Sequence, residues 1–385
     1  MKLPYKVISK ALKWELINKK DYELLIENFD NPNIFLRKSN YRKNKNYSKL
    51  IKSKSLFLLK GATSGSSGEP FWVAQSLKSQ LPKSLTFKRW LNCYIEDGKL
   101  GLIWRNKKPS LSQRFKIYKN KLSLFPIYSI TNSESNILDS NRAQNLFQEI
   151  KDSGVTVLRT YVSILDWLSK NLGNKLSSLN LKYVIASAEA LPENTWDYIE
   201  SNFKCPCINL YGGTEASPIA ASSEEDRRLK IFNNLFHISL KDIINSDKKN
   251  ILVTDINNMT MPILKYENGD ITSGIIYEKD NIYLKDVIGR SSEIIENIRG
   301  DKVSSHMIHV LFRDLKNIVR YRVIQLDNGK LEVLLELLDN KAADEDQLKK
   351  LKISFQNLGF LITYKFEKIK LLEGLKHRTI IKKVK

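Results

Sequence analysis

Apolar and polar positions switch between two periods through the middle of the chain. Val155–Ser163 (VTVLRTYVS) is a run rich in β-branched residues, and ILDWLSKNL after it has helical spacing. The segment LKYVIASAEALPENTWDYIESNFKCPCINLYGGTEA repeats the alternation. YVIA reads as a short buried strand. LPENTWDYIESNF places a proline at a helix start and puts Trp196, Ile199 and Phe203 on one face. CINL reads as the next strand. Strands alternating with helices predict an α/β fold built on a parallel sheet with right-handed crossovers. In such sheets ligands bind beyond the carboxyl ends of the strands. Two loops fall there: ASAEALP after YVIA, and YGGTEAS after CINL.

Upstream, the apolar run Leu56–Leu59 (LFLL) predicts a buried strand, and Thr63–Gly68 (TSGSSG) follows as a loop without an apolar side chain. Downstream the texture changes. ILVTD predicts a strand, Asn268-Gly269-Asp270 a turn, and IIYEKDNIYLKDVIGRSSEII a hairpin. Ser304–Ser305 is an N-cap signal before an apolar helical run. IVRYRVIQLDNGKLEVLLELL predicts a β-hairpin turning at Asn328-Gly329. EDQLKKLKISFQNLG predicts a helix closed by Gly359, and FLITYKFEKIKLL a last strand. This final block has the size of a small α+β domain. A break near Gly289-Arg290 divides the chain into expected domains 1–288 and 289–385.

The chain has 385 residues, 42% apolar and 10% aromatic, enough for a substantial core and for two or three domains. No apolar run is long enough to span a bilayer. The N-terminal MKLPYKVISKALKWELINKK is basic and amphipathic, lacks an apolar signal core, and is read as mature protein. Three cysteines argue for a reducing, cytoplasmic compartment. Cys205 and Cys207 would share one face of a strand, but no second ligand pair accompanies them, and His237, His306, His309 and His377 do not supply one. Packed thiols and no zinc are expected. The formal charge of +21 attracts polyanions, whether nucleic acid, lipid headgroups, nucleotides or CoA. Basic residues run through Leu36–Lys54, Trp104–Lys121 and the C-terminus, yet no zinc-finger, RNP or KH signature accompanies them. No specific nucleic-acid partner is expected; peripheral contact with an anionic membrane is compatible with the charge.

The YGGTE loop carries pointed chemistry. Tyr211 offers an aromatic face, and Gly212 and Gly213 let the backbone approach a ligand. Thr214 has a hydroxyl for a phosphate oxygen. Glu215 has a carboxylate suited to Mg2+, which binds through one or two carboxylates plus phosphates. The competing reading is a tight strand-to-helix turn capped by Thr214 or Glu215.

TSGSSGEP, SAEALPE, YGGTE, MPILKYENGD and VIGRSSEII occur in the order of the adenylate-forming superfamily. From Lys60 to the C-terminus the chain resembles that superfamily, and within it the phenylacetate–CoA ligase branch, including CapK-like proteins linked to capsule and surface polysaccharide synthesis. The resemblance implies a large N-terminal adenylation domain with parallel sheets and a small mobile C-terminal lid. It implies an acid–thiol ligase using ATP, Mg2+ and CoA or a carrier-protein thiol, with a small carboxylic acid as substrate. Thr63, Ser64, Gly65, Ser66, Ser67 and Gly68 would cradle the β- and γ-phosphates. Ala188 and Glu189 would border the adenine. Tyr211 would stack on it beside Gly212 and Gly213, Thr214 would touch the α-phosphate, and Glu215 would hold Mg2+. Asp270 would bind the ribose hydroxyls and Arg290 the ribose or phosphate next to the hinge. Parts of Arg159–Leu165 would wall the acid pocket.

The chain departs from the pattern at its end. EGLKHRTIIKK has Leu375 where the family's catalytic lysine aligns, and Lys376 one place later. Glu293 stands where Asp is common and Lys265 where Arg is common. Ser222 and Ser223 lie near where metal-binding relatives carry a cysteine. The alternative is therefore a non-catalytic nucleotide-binding member serving as a partner in polysaccharide machinery.

Overall fold

A computed structural model describes residues 4–53, 55, 57–62, 71–104, 111–126, 140–244, 246–290, 295–300, 302–303, 308, 311–312, 315–338, 341–369 and 380–382. Thr63–Gly68, Glu293, Ser304–Ser305, Leu375 and Lys376 lie outside them. The chain forms two compact units, Met1–Asn92 with Leu210–Val287, and Cys93–Asn209 with Ile288–Lys385.

The unit containing 93–209 has the alternating architecture expected of its pattern. Leu122–Pro126, Leu100–Trp104, Val157–Tyr161 and Tyr183–Ser187 lie side by side as parallel strands, and Cys207–Tyr211 follows as their neighbour. Helices Ser140–Ser153, Val162–Leu172 and Glu193–Phe203 connect them. Pro192 is the N-cap of the last helix, and Lys204, in the left-handed region at φ 55°, closes it. Trp196, Ile199 and Phe203 are all buried, and pack in one core with Trp167 and Leu165. Cys205 and Cys207 are buried free thiols, but only Cys207 is on the strand. Burial pushes the Cys205 thiol up to about 12, so it stays protonated and inert.

Residues 295–382 of the same unit build a second core around Phe355, Phe360 and Val323. The strand order is Leu361–Phe366, Lys330–Leu337, Ile318–Asp327, Ile380–Lys382. Gly329 takes φ 73° in the hairpin turn, and Gly359, φ 79°, follows helix Glu345–Asn357, whose N-cap Asp344 accepts from Gln347 N at 3.1 Å. The strand Ile380–Lys382, parallel to Ile318–Asp327, has no counterpart in the pattern reading.

The unit containing 1–92 and 210–287 opens with helices Tyr5–Lys13, Lys19–Glu27, Lys38–Arg42 and Lys45–Lys52. Val7, Ile8 and Ala11 of the first helix are buried in the core. Leu58–Ala62 and Trp72–Ser76 pair as an antiparallel hairpin. The expected buried strand at Leu56–Leu59 is thus corrected: it starts at Leu58, in a two-stranded sheet, and Phe57 and Leu59 are 73% and 40% exposed. A two-stranded ribbon lacks the flanking strands and second cover of a central strand. Phe236–Asp242, Lys249–Asp255 and Tyr266–Thr272 form consecutive antiparallel strands. A buried ion pair, Lys83 Nζ to Asp255 Oδ2 at 2.5 Å, joins helix Leu77–Ile95 to this sheet. Lys83 also donates to Gln75, and Asp255 accepts from the backbone of Asn257 and Asn258. Removing either partner would strand a buried charge, a loss of about 3–5 kcal/mol.

Candidate active site

Tyr211 ends its strand and the chain does not enter a helix. It doubles back, Ile219 N donating to Tyr211 O, into the antiparallel strand Ala220–Ala221. The strand-to-helix alternative for YGGTE is therefore overturned, and Thr214 and Glu215 cap nothing. A backbone hydrogen bond from Gly213 N to Ala216 O at 2.7 Å closes the loop. A Cβ on Gly212 would come within 2.8 Å of Ser217 Oγ, so the bare backbone is what lets the loop close this tightly. Gly61 lies against the Thr214 methyl.

Glu215 is held by one hydroxyl. Tyr266 Oη donates to Glu215 Oε1 at 3.2 Å, and Lys38 Nζ lies 3.8 Å from the same oxygen. The carboxylate side chain keeps 11% exposure. Tyr266 is fixed by packing: its ring stacks on Phe71 at 5.8 Å, Phe71 stacks on Tyr47, and Tyr41 meets Phe71 and Tyr266 edge-on. An aromatic column of this kind adds about 0.5–1.5 kcal/mol per ring pair beyond burial.

Four residues farther along the strand of Tyr266 lies Asp270. The expected turn at Asn268-Gly269-Asp270 is a bulge inside strand Tyr266–Thr272. The partner strand pairs Asn250 with Ile271 and then Leu252 with Glu267, so the intervening residues bow out, with Gly269 at φ 89°. The bulge brings Asp270 to Tyr211, whose hydroxyl donates to Asp270 Oδ2 at 2.8 Å. Asn268 completes the triangle, donating to Tyr211 Oη at 2.7 Å and to Asp270 Oδ2 at 3.0 Å. Tyr266 and Asn268 stand in MPILKYENGD, and Asn268 in the expected turn, but neither is assigned a role by the sequence reading.

Lys265, next to Tyr266, is fully buried and donates from Nζ to Phe29 O and Asn31 O, both at 2.7 Å. Burial lowers its ammonium to about 8, against the opposing pull of Asp30. Two N–H bonds to carbonyls can be made by either protonation state.

Ala188, Glu189 and Arg290 belong to the other unit. Ala188 follows strand Tyr183–Ser187 with φ 69°, an unusual conformation for a residue with a Cβ. The Glu189 carboxylate accepts from Ser163 N at 2.7 Å and Ser163 Oγ at 3.1 Å. It thereby serves the first turn of helix Val162–Leu172, whose own N-cap Tyr161 makes no side-chain cap. Arg290 lies in the short strand Gly289–Arg290. In the same unit, Trp104 and Tyr161, at the carboxyl ends of their strands, stack at 4.4 Å, and the Arg159 guanidinium from mid-strand lies 5.3 Å from the Trp104 ring centre. Burial lowers the Arg159 guanidinium to about 10, still a cation at neutral pH.

Among the described residues, no three His, Cys, Asp or Glu side chains converge as a metal cage. A single carboxylate beside Thr214 fits Mg2+ that keeps its waters and takes its other ligands from phosphates.

Residues 129–233 match the family model of the AMP-binding enzymes. Over that segment the chain is similar to AMP-binding enzymes. Over 359 residues it is 24% identical to protein CapK of Staphylococcus aureus, covering 89% of this chain and 78% of CapK. Its fold is similar to 2-hydroxyisobutyryl-CoA ligase in the postadenylation state with an acyl-AMP, with TM-score 0.72 at 13% identity, covering 99% of this chain and 88% of the ligase. It is also similar to the anthranilate CoA ligase AuaEII bound to anthranoyl-AMP, with TM-score 0.53 at 16% identity over 83% of this chain and 62% of that one. The resemblance to adenylate-forming enzymes stands in sequence and in fold, and both of these structural neighbours are CoA ligases.

Proposed function

We propose that the protein activates a small carboxylic acid with ATP as an acyl-adenylate and passes the acyl group to CoA or a carrier thiol. The arrangement of Glu215, anchored by Tyr266 on the strand that also carries the Tyr211–Asn268–Asp270 triangle, supports this reading most directly. A carboxylate for the metal–phosphate end and a hydroxyl–carboxylate pair for the ribose end then sit on one loop and one strand.

A carboxylate oxygen of the acid attacks the α-phosphorus of ATP, the bond to the β-phosphate bridging oxygen breaks, and pyrophosphate leaves. The thiolate then attacks the acyl carbon and AMP departs. Positioning and charge neutralisation carry such a reaction. Mg2+ held at Glu215 would supply neutralising charge at the phosphates. In this reading Thr214 touches the α-phosphate, Tyr211 offers its ring to adenine, Asp270 accepts from the ribose hydroxyls, and Thr63–Gly68 hold the departing pyrophosphate. Glu189 is already spent on Ser163, so the backbone at Ala188–Glu189 is what borders the base. Trp104, Tyr161 and Arg159 wall the acid pocket, with Arg159 suited to a carboxylate. Arg290 contacts the nucleotide, the lid spans 289–385, and Lys376 replaces the lysine that Leu375 displaces. A role in surface polysaccharide metabolism, in the cytoplasm, rests on the likeness to CapK and on the free thiols.

The test is acid-dependent pyrophosphate release from ATP and Mg2+ over aryl, fatty, hydroxy and amino acids, with and without CoA. Release with any acid supports adenylation. ATP binding with no release across the panel favours the second reading, a nucleotide-binding partner without turnover, for which Leu375 speaks. Lys376→Ala should then impair release in an active protein; full activity would move the role to another cation.

A further inference from the structure

Lys38 lies outside every motif, yet the fold delivers it to the candidate metal carboxylate. Its segment is bonded to the strand that carries Tyr266. Leu36 N donates to Lys265 O, Glu267 N donates to Leu36 O, and Arg37 Nε meets Glu267 Oε2 at 2.5 Å. Two turns of contact farther on, Tyr41 Oη donates to Pro262 O at 2.9 Å. Residues 36–41 therefore move with 262–267, and Lys38 is set relative to Tyr266.

Two described features lie near the ammonium. Nζ lies 3.8 Å from Glu215 Oε1, the oxygen that accepts from Tyr266. It also lies 6.0 Å from the ring centre of Phe71, the first described residue after Thr63–Pro70. The distance to Glu215 is an ion-pair distance and too long for a hydrogen bond. The side chain keeps 27% exposure. Its neighbour Arg37 is a poor substitute, being hydrogen-bonded to Glu267.

Resting on the nucleotide reading above, we infer that Lys38 is a phosphate-contacting residue, and that its ammonium leaves Glu215 for the phosphate oxygens of Mg·ATP when the nucleotide binds. The charge logic is direct. A carboxylate that takes Mg2+ gains a divalent neighbour, which repels the ammonium, while the polyphosphate attracts it. In a chain with Leu375 at the usual lysine position, Lys38 supplies a cation from the unit that holds Glu215. On pyrophosphate departure it would neutralise the charge building on the leaving group.

Calorimetric titration with Mg·ATP, in the absence of any acid, tests this. Lys38→Met keeps length and loses charge; Lys38→Arg keeps charge. Lys49→Ala, an exposed site on helix Lys45–Lys52, controls for net charge. Loss of a charge-assisted contact should weaken binding about tenfold or more in Lys38→Met. Lys38→Arg should recover most of it, and Lys49→Ala should bind like wild type, all at unchanged urea midpoints. Equal Mg·ATP affinity in wild type and Lys38→Met would overturn the role of Lys38 and leave the ligase reading intact. A deficit in Lys38→Met with no pyrophosphate release by wild type would support Lys38 as a phosphate contact while the ligase reading fails. No Mg·ATP binding by wild type would overturn both.

Discussion

Glu189 and Glu215 follow two strands, each in a loop beyond the carboxyl end, and they have opposite fates. Both oxygens of Glu189 accept from Ser163, one from its backbone and one from its hydroxyl. Glu215 accepts one phenolic hydrogen bond at 3.2 Å and has a cation at 3.8 Å. The first carboxylate finishes a helix end. The second is steadied but keeps coordination capacity for a ligand. Acidic residues in equivalent loop positions thus differ in how fully their oxygens are engaged, according to what the next element offers them: a helix start after Tyr161, an antiparallel return after Tyr211.

Substitutions at the two sites should separate accordingly. The largest effect is expected from Glu215→Ala: acid-dependent pyrophosphate release should fall by about 100-fold or more, with little change in the urea midpoint. Wild-type rates in this variant would remove Glu215 from the chemistry and erase the contrast. Glu189→Ala should behave in reverse, costing about 1–2 kcal/mol in urea unfolding through the lost helix-start contacts. If its stability were unchanged while release collapsed, Glu189 would join Glu215 as a reactive-site group. Asn268→Ala should raise the KM for ATP about fivefold, because Tyr211 and Asp270 lose their shared donor, an effect of about 1 kcal/mol. An unaltered KM would confine the triangle to structure. Ala188→Gly should stabilise by about 0.5–1 kcal/mol by relieving the left-handed conformation, read as a shift in urea midpoint. A loss of stability would mean that the Ala188 methyl packs more usefully than its backbone strains.

A pH dependence is expected beside the support of Glu215. In the folded protein Lys265 loses its proton near pH 8, and unfolded lysine near 10.5. Between these values the unfolded chain binds more protons, so this group makes stability rise with pH. Below pH 8 both states are protonated and its burial cost is constant. Urea midpoints from pH 8 to 10 should therefore climb more in wild type than in Lys265→Met. Parallel curves would show that the buried ammonium keeps its ordinary affinity.

The β-α-β grammar of 155–211 was legible because each strand is a short apolar run and each helix has a periodic apolar face. Gly329 and Gly359 were legible because left-handed backbone calls for glycine. The same signal misled at Asn268-Gly269-Asp270, since a bulge and a turn both recruit a flexible glycine. Leu56–Leu59 misled because apolar content does not tell a central strand from one side of a two-stranded ribbon. The triangle around Tyr211, the Tyr266 hydrogen bond and the Lys83–Asp255 pair join residues far apart in sequence, where no local period records the meeting. Motif order could point to Tyr211, Glu215 and Asp270; only the packed chain shows who holds them.

Gly61 adds a constraint made of vacancy. A Cβ built there would meet Thr214 Cγ2 at 3.1 Å, tighter than ordinary van der Waals contact. One methyl group exists where two would compete. The two positions are therefore coupled through volume, and an alanine at 61 would push the methyl at 214 aside by a few tenths of an ångström. In a randomised library Gly61→Ala should survive selection chiefly in the company of Thr214→Ser, so the placement of the Thr214 hydroxyl is inherited as a pair.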